Sequence, residues 1–553
     1  MTRPAAMPYR APDAVMRLAR LGSFHATRLS FMRTLLRRMK AEGWRIDRPL
    51  WQIDAKGVGR ALYRARGPRR SYTLVAFAHD LAPDQRSDRV IATAWDATFT
   101  LFDGEPTQAD LDRLAANVPL QEAGRVSETE LTLSRANRSV RLWDHVVARL
   151  AAGAQPDAAL IDNVGYLMRT TAVYGSGKFG AADLGRLAGR PLLDGPFRAE
   201  MLTVWLIRAF TLDMVEHLAA ARDPGAARIA PALRRRFGVG NSTGLGMAPF
   251  LVTHPALIDA WITAREAALA RVRALPDAAA WDAFRVHLDR AARNADAWRS
   301  EHPYQQEKLD LLRRDLRRLQ EQAMPVGPAP WDALWRRAEA ELSLEGQEAL
   351  LACMLEPHGA LIDDLEDLMS VDEARHFAIQ GNMPIARLRG LIARNYAWAL
   401  QPDYAERAAS ARFWYVSEEK LEPRLGERYD EPGAPLEQPL AIGRDAALLA
   451  HDLEGARGMV AEFLMRNPQH RHIVRRVQLS VRCPYGEIRD NLVSAEMMPI
   501  DLLRAKLSMF GATRFDPRSD RWVRICMYQH APLPEDLATG ADDWSLPDEA
   551  VAV

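Results

Sequence analysis

The stretch that organises this chain is Gly238–Pro249, which reads GVGNSTGLGMAP. Four glycines fall within nine residues there, interleaved with Asn241, Ser242 and Thr243. Glycine lets a backbone adopt positive φ or pass close to another group, and free N–H groups that lead into a helix bind anions. We therefore predict a loop that holds a phosphate, carboxylate or acyl oxygen, with the backbone of Gly244 among its contacts.

A second glycine-rich segment, Tyr174–Gly180 (YGSGKFG), lies about sixty residues earlier. It has the composition of a phosphate loop, but Phe179 stands where a P-loop places the Ser or Thr that holds magnesium. Hydrolysis of a nucleoside triphosphate is therefore disfavoured. We expect Ser176 and Lys178, with Arg169 just upstream, to contact an anion, and Lys178 could alternatively form an imine. The two segments are predicted to line one pocket.

Residues Gly240–Gly244 also match G-x-S-x-G, the nucleophile elbow of serine hydrolases, which needs a strand before the serine. The sequence offers a poor strand there, because three arginines lead into only Phe237 and Val239. We therefore predict that Ser242 donates hydrogen bonds and is no nucleophile. A serine acyl hydrolase that uses Ser242 remains the alternative, with His254 as its base.

Two residues are candidates for acid–base chemistry. Glu200 lies on a strongly apolar, buried helix predicted over residues 197–221, and a charge in such a place needs a partner or a shifted pKa. His254 follows the central glycine-rich stretch by a few residues. We assign proton transfer to His254 or Glu200.

Two arginine-rich segments could hold the anion. Arg135, Arg138 and Arg141 would share one surface of a predicted helix, where Arg138 could clamp a carboxylate or pair with Glu128 or Glu130. Farther along, an aromatic run is followed by a charged loop between residues 418 and 439. Trp414 could stack on a flat substrate there, and Arg424 could hold its carboxylate, unless these charges neutralise one another at an interface.

The fold is predicted to be α+β, mainly helical and multidomain. Patterns of period two over residues 72–101 indicate a small N-terminal antiparallel sheet, and helical periodicity dominates afterwards. The linker Met324–Pro330 carries three prolines and a glycine and marks a boundary. The predicted regions are an N-terminal α/β region (1–106), a helical domain with both glycine-rich loops (107–323), a helical region with the charged aromatic loop (331–443), and a C-terminal α/β unit (444–553). In that last unit a helix over 444–466 precedes strands at 473–481 and 521–528, and an acidic, loosely ordered tail follows Pro534.

Composition limits the classes of function. Lys and Arg number 73 against 72 Asp and Glu, so no net field favours nucleic acid or an anionic membrane, and nucleic-acid binding is disfavoured. No run of eighteen apolar residues occurs, and the prolines and arginines of residues 1–21 leave no signal-peptide core. We therefore expect a soluble cytoplasmic protein, and the bias towards alanine and arginine is typical of GC-rich bacterial genomes.

The sequence predicts no metal site and identifies no cofactor. Its three cysteines are far apart, and Glu373 with His376 is a single E-x-x-H pair where a dinuclear iron bundle needs two. The working hypothesis is a metal-independent enzyme that acts on a small organic anion. A non-catalytic binding or scaffold protein is the other class, and homo-oligomerisation stays open.

Overall fold

The computed structural model describes residues 7–80, 95–119, 127–170, 187, 189–241, 255–300, 302–323, 326–369, 377–401, 403, 414–417, 423–425, 437–440, 442–489, 504, 506–512, 514–519 and 522–546. Structural statements below concern these residues. For the strands between 414 and 440, and for residues 514–524, they concern the backbone alone.

Helices predominate in the described chain, as predicted. In chain order they are α1 (Pro12–Val15), α2 (Leu18–Leu21), α3 (Phe31–Ala41), α4 (Gln108–Asn117), α5 (Trp143–Ala151), α6 (Ala158–Val164), α7 (Arg198–Arg222), α8 (Pro231–Arg236), α9 (Pro255–Arg273), α10 (Trp281–Ala297), α11 (Pro303–Glu321), α12 (Pro330–Glu341), α13 (Leu344–Leu355), α14 (Gly359–Ile362), α15 (Ile385–Asn395), α16 (Ala397–Leu400), α17 (Ile442–Asp452), α18 (Val460–Arg466) and α19 (Arg471–Leu479). Short 3-10 turns cover Glu356–His358, Asp363–Met369, Pro468–His470 and Pro534–Asp536, and a π turn covers Lys506–Phe510.

A nine-stranded mixed sheet forms the other layer. Its strands are β1 (Arg45–Ile53), β2 (Gly59–Arg66), β3 (Ser71–Ala78), β4 (Ala97–Asp103), β5 (Glu130–Arg138), β6 (Tyr166–Thr170), β7 (Gly238–Asn241), β11 (Arg514–Ser519) and β12 (Trp522–Met527). They lie in the order β1-β2-β3-β4-β5-β6-β7-β12-β11. The pair β6–β7 is parallel, and the other neighbours are antiparallel.

The sheet is larger than the predicted N-terminal one, and its strands come from both ends of the chain. The antiparallel strands over residues 72–101 are confirmed as β3 and β4. The strand predicted at 521–528 is β12, which pairs with β7 in the same sheet. The described residues therefore do not support a separate C-terminal α/β unit.

Helix α7 lies on one face of the sheet and confirms the buried helix predicted over 197–221. Every residue from Arg198 to Leu212 is buried. The Phe210 ring meets the Phe99 ring of β4 edge-on at 5.3 Å between centroids. Helix α4 covers the opposite face, where its Leu111 and Leu114 pack with residues of β3, β4 and β5. A helix that is apolar on nearly all sides is typical of such a central position.

Several predicted elements were wrong because tertiary pairing overrode local pattern. Residues 134–138, expected in a helix, belong to strand β5, where Leu131 and Leu133 alternate with Thr132 and Ser134. That alternation of period two is the strand signal that the arginine spacing concealed. The helix predicted over residues 14–43 is divided into α1, α2 and α3.

The C-terminal half brings two further corrections. Residues 473–481, expected to be a strand, lie mostly in helix α19, whose Ile473, Val474 and Val477 are buried at helical spacing. The charged aromatic segment, which was predicted as a loop after Ser417, contains three short strands. Strands β8 (Trp414–Ser417), β9 (Pro423–Leu425) and β10 (Glu437–Leu440) form a small antiparallel sheet in the order β10-β8-β9.

The tail beyond Pro534 is tied down over its described length, contrary to prediction. Trp544 and Leu546 are buried, and the Asp542 carboxylate accepts hydrogen bonds from Arg33 and Arg37 of α3. Acidic composition suggested a solvated tail, but the Asp542 carboxylate is bound by these two arginines of α3. In the part of the chain that the structure describes, no helix is long and apolar enough to cross a membrane.

Candidate functional site

Strands β6 and β7, after which the chain continues into glycine-rich residues, end next to each other in the fold. Strand β6 ends at Thr170 and strand β7 ends at Asn241, and these two residues are paired across the parallel ladder. The chain continues from Thr170 towards Ser176 and Lys178, and from Asn241 into Ser242, Thr243 and Gly244. In open, mainly parallel α/β sheets, ligands bind beyond the carboxyl ends of the strands, and β6 and β7 form a parallel pair within this mostly antiparallel sheet.

The sequence suggested that only a poor strand precedes Ser242, and this was wrong. Gly238–Asn241 is a fully buried strand between β6 and β12. Its two glycines are explained by packing and do not have positive φ. A methyl group on Gly240 would lie 2.7 Å from the Tyr166 ring, and one on Gly238 would lie 2.4 Å from the Met527 carbonyl oxygen. Close packing against neighbouring residues thus explains two of the four glycines, and these two need no ligand to explain them.

Buried hydroxyl groups line the face of the sheet that α7 covers. The Ser134 and Thr170 hydroxyls are 2.8 Å apart, joining β5 to β6. The Thr132 and Thr203 hydroxyls are also 2.8 Å apart, joining β5 to α7. These four residues and Asn241 are at most 3% exposed. Hydroxyls both donate and accept, so each of these two pairs can reverse its hydrogen bond when protonation nearby changes.

Glu200 lies towards the edge of the sheet at which β6 and β7 end. It precedes Thr203 by three residues, which places both on one side of α7. The first part of α7 lies near Thr132, which bonds Thr203. Its last part lies near Arg138, because Leu218 of α7 and Arg138 both lie close to Gly57. Thr132 lies beyond the Ala136–Thr170 pair in the direction in which β6 runs. The Glu200 side chain is 3% exposed, so solvent is largely excluded from it.

Arg138 lies at the other end of that strand and has protein partners. Its Nε is 3.8 Å from an Asp96 carboxylate oxygen, and its guanidinium stacks on Trp143 at 5.0 Å from the ring centroid. The Arg138 backbone N–H also donates to Asp96 at 2.8 Å. The carboxylate partner that the sequence placed at Glu128 or Glu130 is thus Asp96. Arg138 pairs with Met168, two residues before the end of β6 at Thr170. It therefore lies back from the sheet edge at which β6 ends.

The other predicted arginine contacts are distributed over the fold. Arg169 pairs with Asn137 of β5, one residue before the end of β6. Arg424 of β9 is paired with Tyr415, the residue after Trp414 of β8, so the backbone brings these two predicted contacts into one small sheet. The remaining predicted site residues lie outside the described residues: Ser176, Lys178, Ser242, Thr243, Gly244 and His254.

Asp259 is a titratable residue that the sequence analysis missed. It lies on the first turns of α9, a few residues after the central glycine-rich stretch, and accepts a hydrogen bond from the Tyr485 backbone N–H at 2.7 Å. Burial raises the pKa of Asp259 to about 6, although that hydrogen bond acts in the opposite direction. A carboxyl group that titrates near neutral pH suits proton transfer. Nothing in its local sequence signals the burial.

Comparison with models of protein families, with curated proteins and with solved structures finds no match for this chain. Among the described residues, no group of three or more His, Cys, Asp and Glu side chains could hold a metal ion. The arrangement at the ends of β6 and β7 therefore has to be interpreted from its own chemistry. It combines a buried carboxyl group, two pairs of hydrogen-bonded hydroxyl groups and two neighbouring strands that lead in sequence into glycine-rich segments.

Proposed function

We propose that the chain is a metal-independent cytoplasmic enzyme that acts on a small organic anion beyond the carboxyl ends of β6 and β7. The observation that supports this most is the pairing of Thr170 with Asn241. It puts the ends of β6 and β7 about 5 Å apart, the spacing of neighbouring strands. In sequence, each of these strand ends is followed by glycine-rich residues with an anion-binding pattern, which supports a shared pocket.

The roles follow from residue chemistry. Lys178, Ser176 and the backbone N–H groups around Ser242–Gly244 would hold the phosphate, carboxylate or acyl oxygen. Asn241, which is 3% exposed at the end of β7, would add a side-chain amide. Glu200 or His254 would transfer the proton, with Glu200 favoured by its buried position at this edge of the sheet.

A thermal-shift screen with phosphorylated, carboxylated and acyl-thioester metabolites tests the proposal. A ligand that binds only the folded state raises the melting temperature. The shift should shrink in Lys178→Ala and persist in Lys56→Ala, because Lys56 is also a lysine next to glycine in the sequence but is not one of the proposed anion contacts. A ligand that binds without turnover would instead indicate a non-catalytic binding protein. Equal shifts in all three proteins would exclude Lys178 from the site.

The second candidate, a serine acyl hydrolase, is favoured by one observation. Ser242 directly follows a buried strand, which is the position that a nucleophile elbow requires. Against it stands the neighbourhood of β7, with one parallel and one antiparallel partner, whereas the elbow strand of an α/β-hydrolase lies in a mainly parallel sheet. We keep Ser242 as a hydrogen-bond donor.

A fluorophosphonate probe separates the two candidates. We expect no labelling of the native protein above the level of a heat-unfolded control, because a nucleophilic serine needs an adjacent base. Labelling that disappears in Ser242→Ala would replace the anion-binding role with covalent catalysis, and His254→Ala would then be the next variant to examine.

A further inference from the structure

Helices α15 to α19, with the segments that flank them, carry a local surplus of positive charge. Residues 377–401 and 442–489, which we call the helical bundle, contain eleven arginines, no lysine and five Asp or Glu residues. The helices are tied together by contacts such as that of Asn395, at the end of α15, which donates to the Ser480 hydroxyl at 2.7 Å. The whole chain has a net charge of only +1, so its composition conceals this surplus. A charged partner responds to the local field of a surface.

Four of the five carboxylates of the bundle bond to groups other than its exposed arginines. These pairs are Asp445 with His472, Asp452 with His470, Glu487 with Arg476, and Glu462 with the backbone N–H of Met459. Within the described chain, none of the exposed arginines of the bundle forms an ion pair. Their positive charge therefore remains available to a partner.

Three of these arginines form a row along α19. Arg471 and Arg475 are one turn apart, and Arg482 lies in the turns that continue the helix, because its backbone N–H donates to the Leu479 carbonyl oxygen at 2.9 Å. With 3.6 residues per turn, positions 471, 475 and 482 lie within about 40° of one another around the axis and span roughly 16 Å along it. All three side chains are exposed. The row is thus a straight, solvent-facing line of guanidinium groups.

The surroundings of the row favour one kind of polyanion. The other side of α19 is occupied by the core, since Ile473, Val474 and Val477 are buried, so the helix has no free apolar face to insert into a bilayer. No aromatic side chain in the described part of the bundle is exposed, whereas proteins that bind single strands stack bases on aromatic rings. A duplex presents one phosphate charge per about 1.7 Å of its axis, so a straight row of arginines meets several phosphates at once.

We propose that Arg471, Arg475 and Arg482 bind the phosphate backbone of a nucleic-acid duplex. Guanidinium groups hold phosphate oxygens bidentately, and contacts to the backbone carry no direct sequence information. The binding is therefore electrostatic and independent of base sequence. None of the three arginines belongs to the site beyond β6 and β7, so the inference does not depend on the proposed enzyme activity.

Fluorescence anisotropy of the full chain with labelled duplexes of about 20 base pairs tests the proposal. For a DNA duplex, three phosphate contacts should weaken binding roughly 40-fold between about 50 and 200 mM salt. In the triple variant Arg471→Gln, Arg475→Gln, Arg482→Gln, the slope of log affinity against log salt should shrink by about 2.7, since each lost contact removes about 0.9. An RNA duplex of the same sequence is measured alongside, and the tighter of the two identifies the nucleic acid.

A charge-matched control separates the row from net charge. The triple variant Arg222→Gln, Arg228→Gln, Arg285→Gln removes the same charge from exposed positions outside the bundle and should bind as the wild type does. Substitutions at exposed positions scarcely change stability, so both triple variants should keep the melting temperature of the wild type. If the first triple variant unfolds, Arg475→Gln alone provides the test, with a loss of about 0.9 in the slope.

Three results would overturn the proposal. The first is a wild type that binds neither duplex at about 50 mM salt, where phosphate contacts are strongest. The second is a control variant that loses as much affinity as the variant of the row. The third is tighter binding of a single strand, of polyglutamate or of vesicles with anionic lipid, because each of these would give the row a different partner.

Discussion

The methyl group that Gly240 lacks would occupy the position of the Tyr166 ring. Three ring atoms would lie within 2.8 Å of it, in the centre of the sheet. An aromatic ring packed between strands cannot yield by several tenths of an ångström without moving the strand. At this residue glycine is selected by close packing, although the sequence suggested a ligand.

We predict that Gly240→Ala destabilises the protein by about 1–3 kcal/mol, the usual cost of overpacking a core. Gly390→Ala is the matched control, because nothing lies within 4 Å of its added methyl group on the exposed side of α15. Alanine there should raise stability by about 0.5–1 kcal/mol, since it lowers the entropy of the unfolded chain and favours helix. Urea unfolding measures both. Equal effects of the two substitutions would contradict the packing explanation.

The structure confirms that Glu200 is buried, while its role in proton transfer stays a prediction. Glu200 could be chosen from the sequence because a glutamate on a strongly apolar helix is unusual. The hydrogen bond between Ser134 and Thr170 could not be predicted, because it depends on the register of β5 against β6.

Among the elements, helix α19 shows where periodicity misleads. Ile473, Val474 and Val477 are β-branched and suggested a strand, yet they form one buried stripe at helical spacing. Packing against α15 and α17 decides the outcome, which a short apolar run cannot show. The start of α19 is tied to α17 by His472, whose Nε2 lies 2.8 Å from an Asp445 carboxylate oxygen.

The His472–Asp445 pair should make stability depend on pH. The hydrogen bond to Asp445 raises the pKa of His472 above its ordinary value, with burial acting in the opposite direction. The stabilisation is therefore fully present below the unfolded pKa of about 6.5 and is lost as pH rises through the folded value. His472→Gln should cost more stability at about pH 5.5 than at about pH 8.5 in urea unfolding. Asp445→Asn should remove the same dependence; a cost independent of pH would refute this assignment.

Helix α7 is joined to the sheet by a buried arginine that bonds only to backbone carbonyls. Arg208 donates to the carbonyl oxygens of Phe237, Arg235, Ala531 and Pro532 at 2.6–3.2 Å. Burial lowers the pKa of Arg208 to about 9. The arginine thereby fixes the residues just before β7 to the segment that follows β12.

Arg208→Met should destabilise the protein by roughly 3 kcal/mol, because several buried carbonyl groups would lose their donors. Arg222→Met, at the exposed end of the same helix, should stay within about 0.5 kcal/mol of the wild type. Equilibrium denaturation of the two variants gives the comparison. A small effect of Arg208→Met would mean that water replaces the guanidinium at these carbonyls.

At the scale of the whole molecule, the two ends of the chain build one structure. Strand β12 near the C-terminal end completes the sheet beside β7, and the segment after it packs on α3 near the N-terminal end. The sequence indicated the helical content and the N-terminal strands, because both depend on local periodicity. It could not indicate that β12 pairs with β7. Asn241 and Ile525 are about 285 positions apart, and a pairing at that distance leaves no local pattern in the sequence.

The contact of Asp542 with α3 should hold the segment after β12 against the N-terminal part of the chain. Its carboxylate accepts hydrogen bonds from Arg33 and Arg37, each at 3.0 Å, and these arginines with Arg28 hold the pKa of Asp542 below its ordinary value despite burial. A depressed carboxyl pKa contributes stability above the unfolded value that is lost as pH falls through the folded one. Arg33 is fully buried and keeps Glu356 as a second partner, so removing Asp542 leaves no isolated charge.

We therefore predict that Asp542→Asn costs about 2 kcal/mol near neutral pH, the scale of hydrogen bonds to a charged group. The cost should diminish as pH falls towards about 3, where the wild-type carboxylate also becomes protonated. Asp543→Asn is the control, because the neighbouring carboxylate is more exposed and pairs with Arg290 alone at 3.2 Å. Thermal unfolding across pH distinguishes them. If the two variants match at every pH, the C-terminal segment is held by Trp544 and Leu546, and charge pairing with α3 contributes nothing measurable.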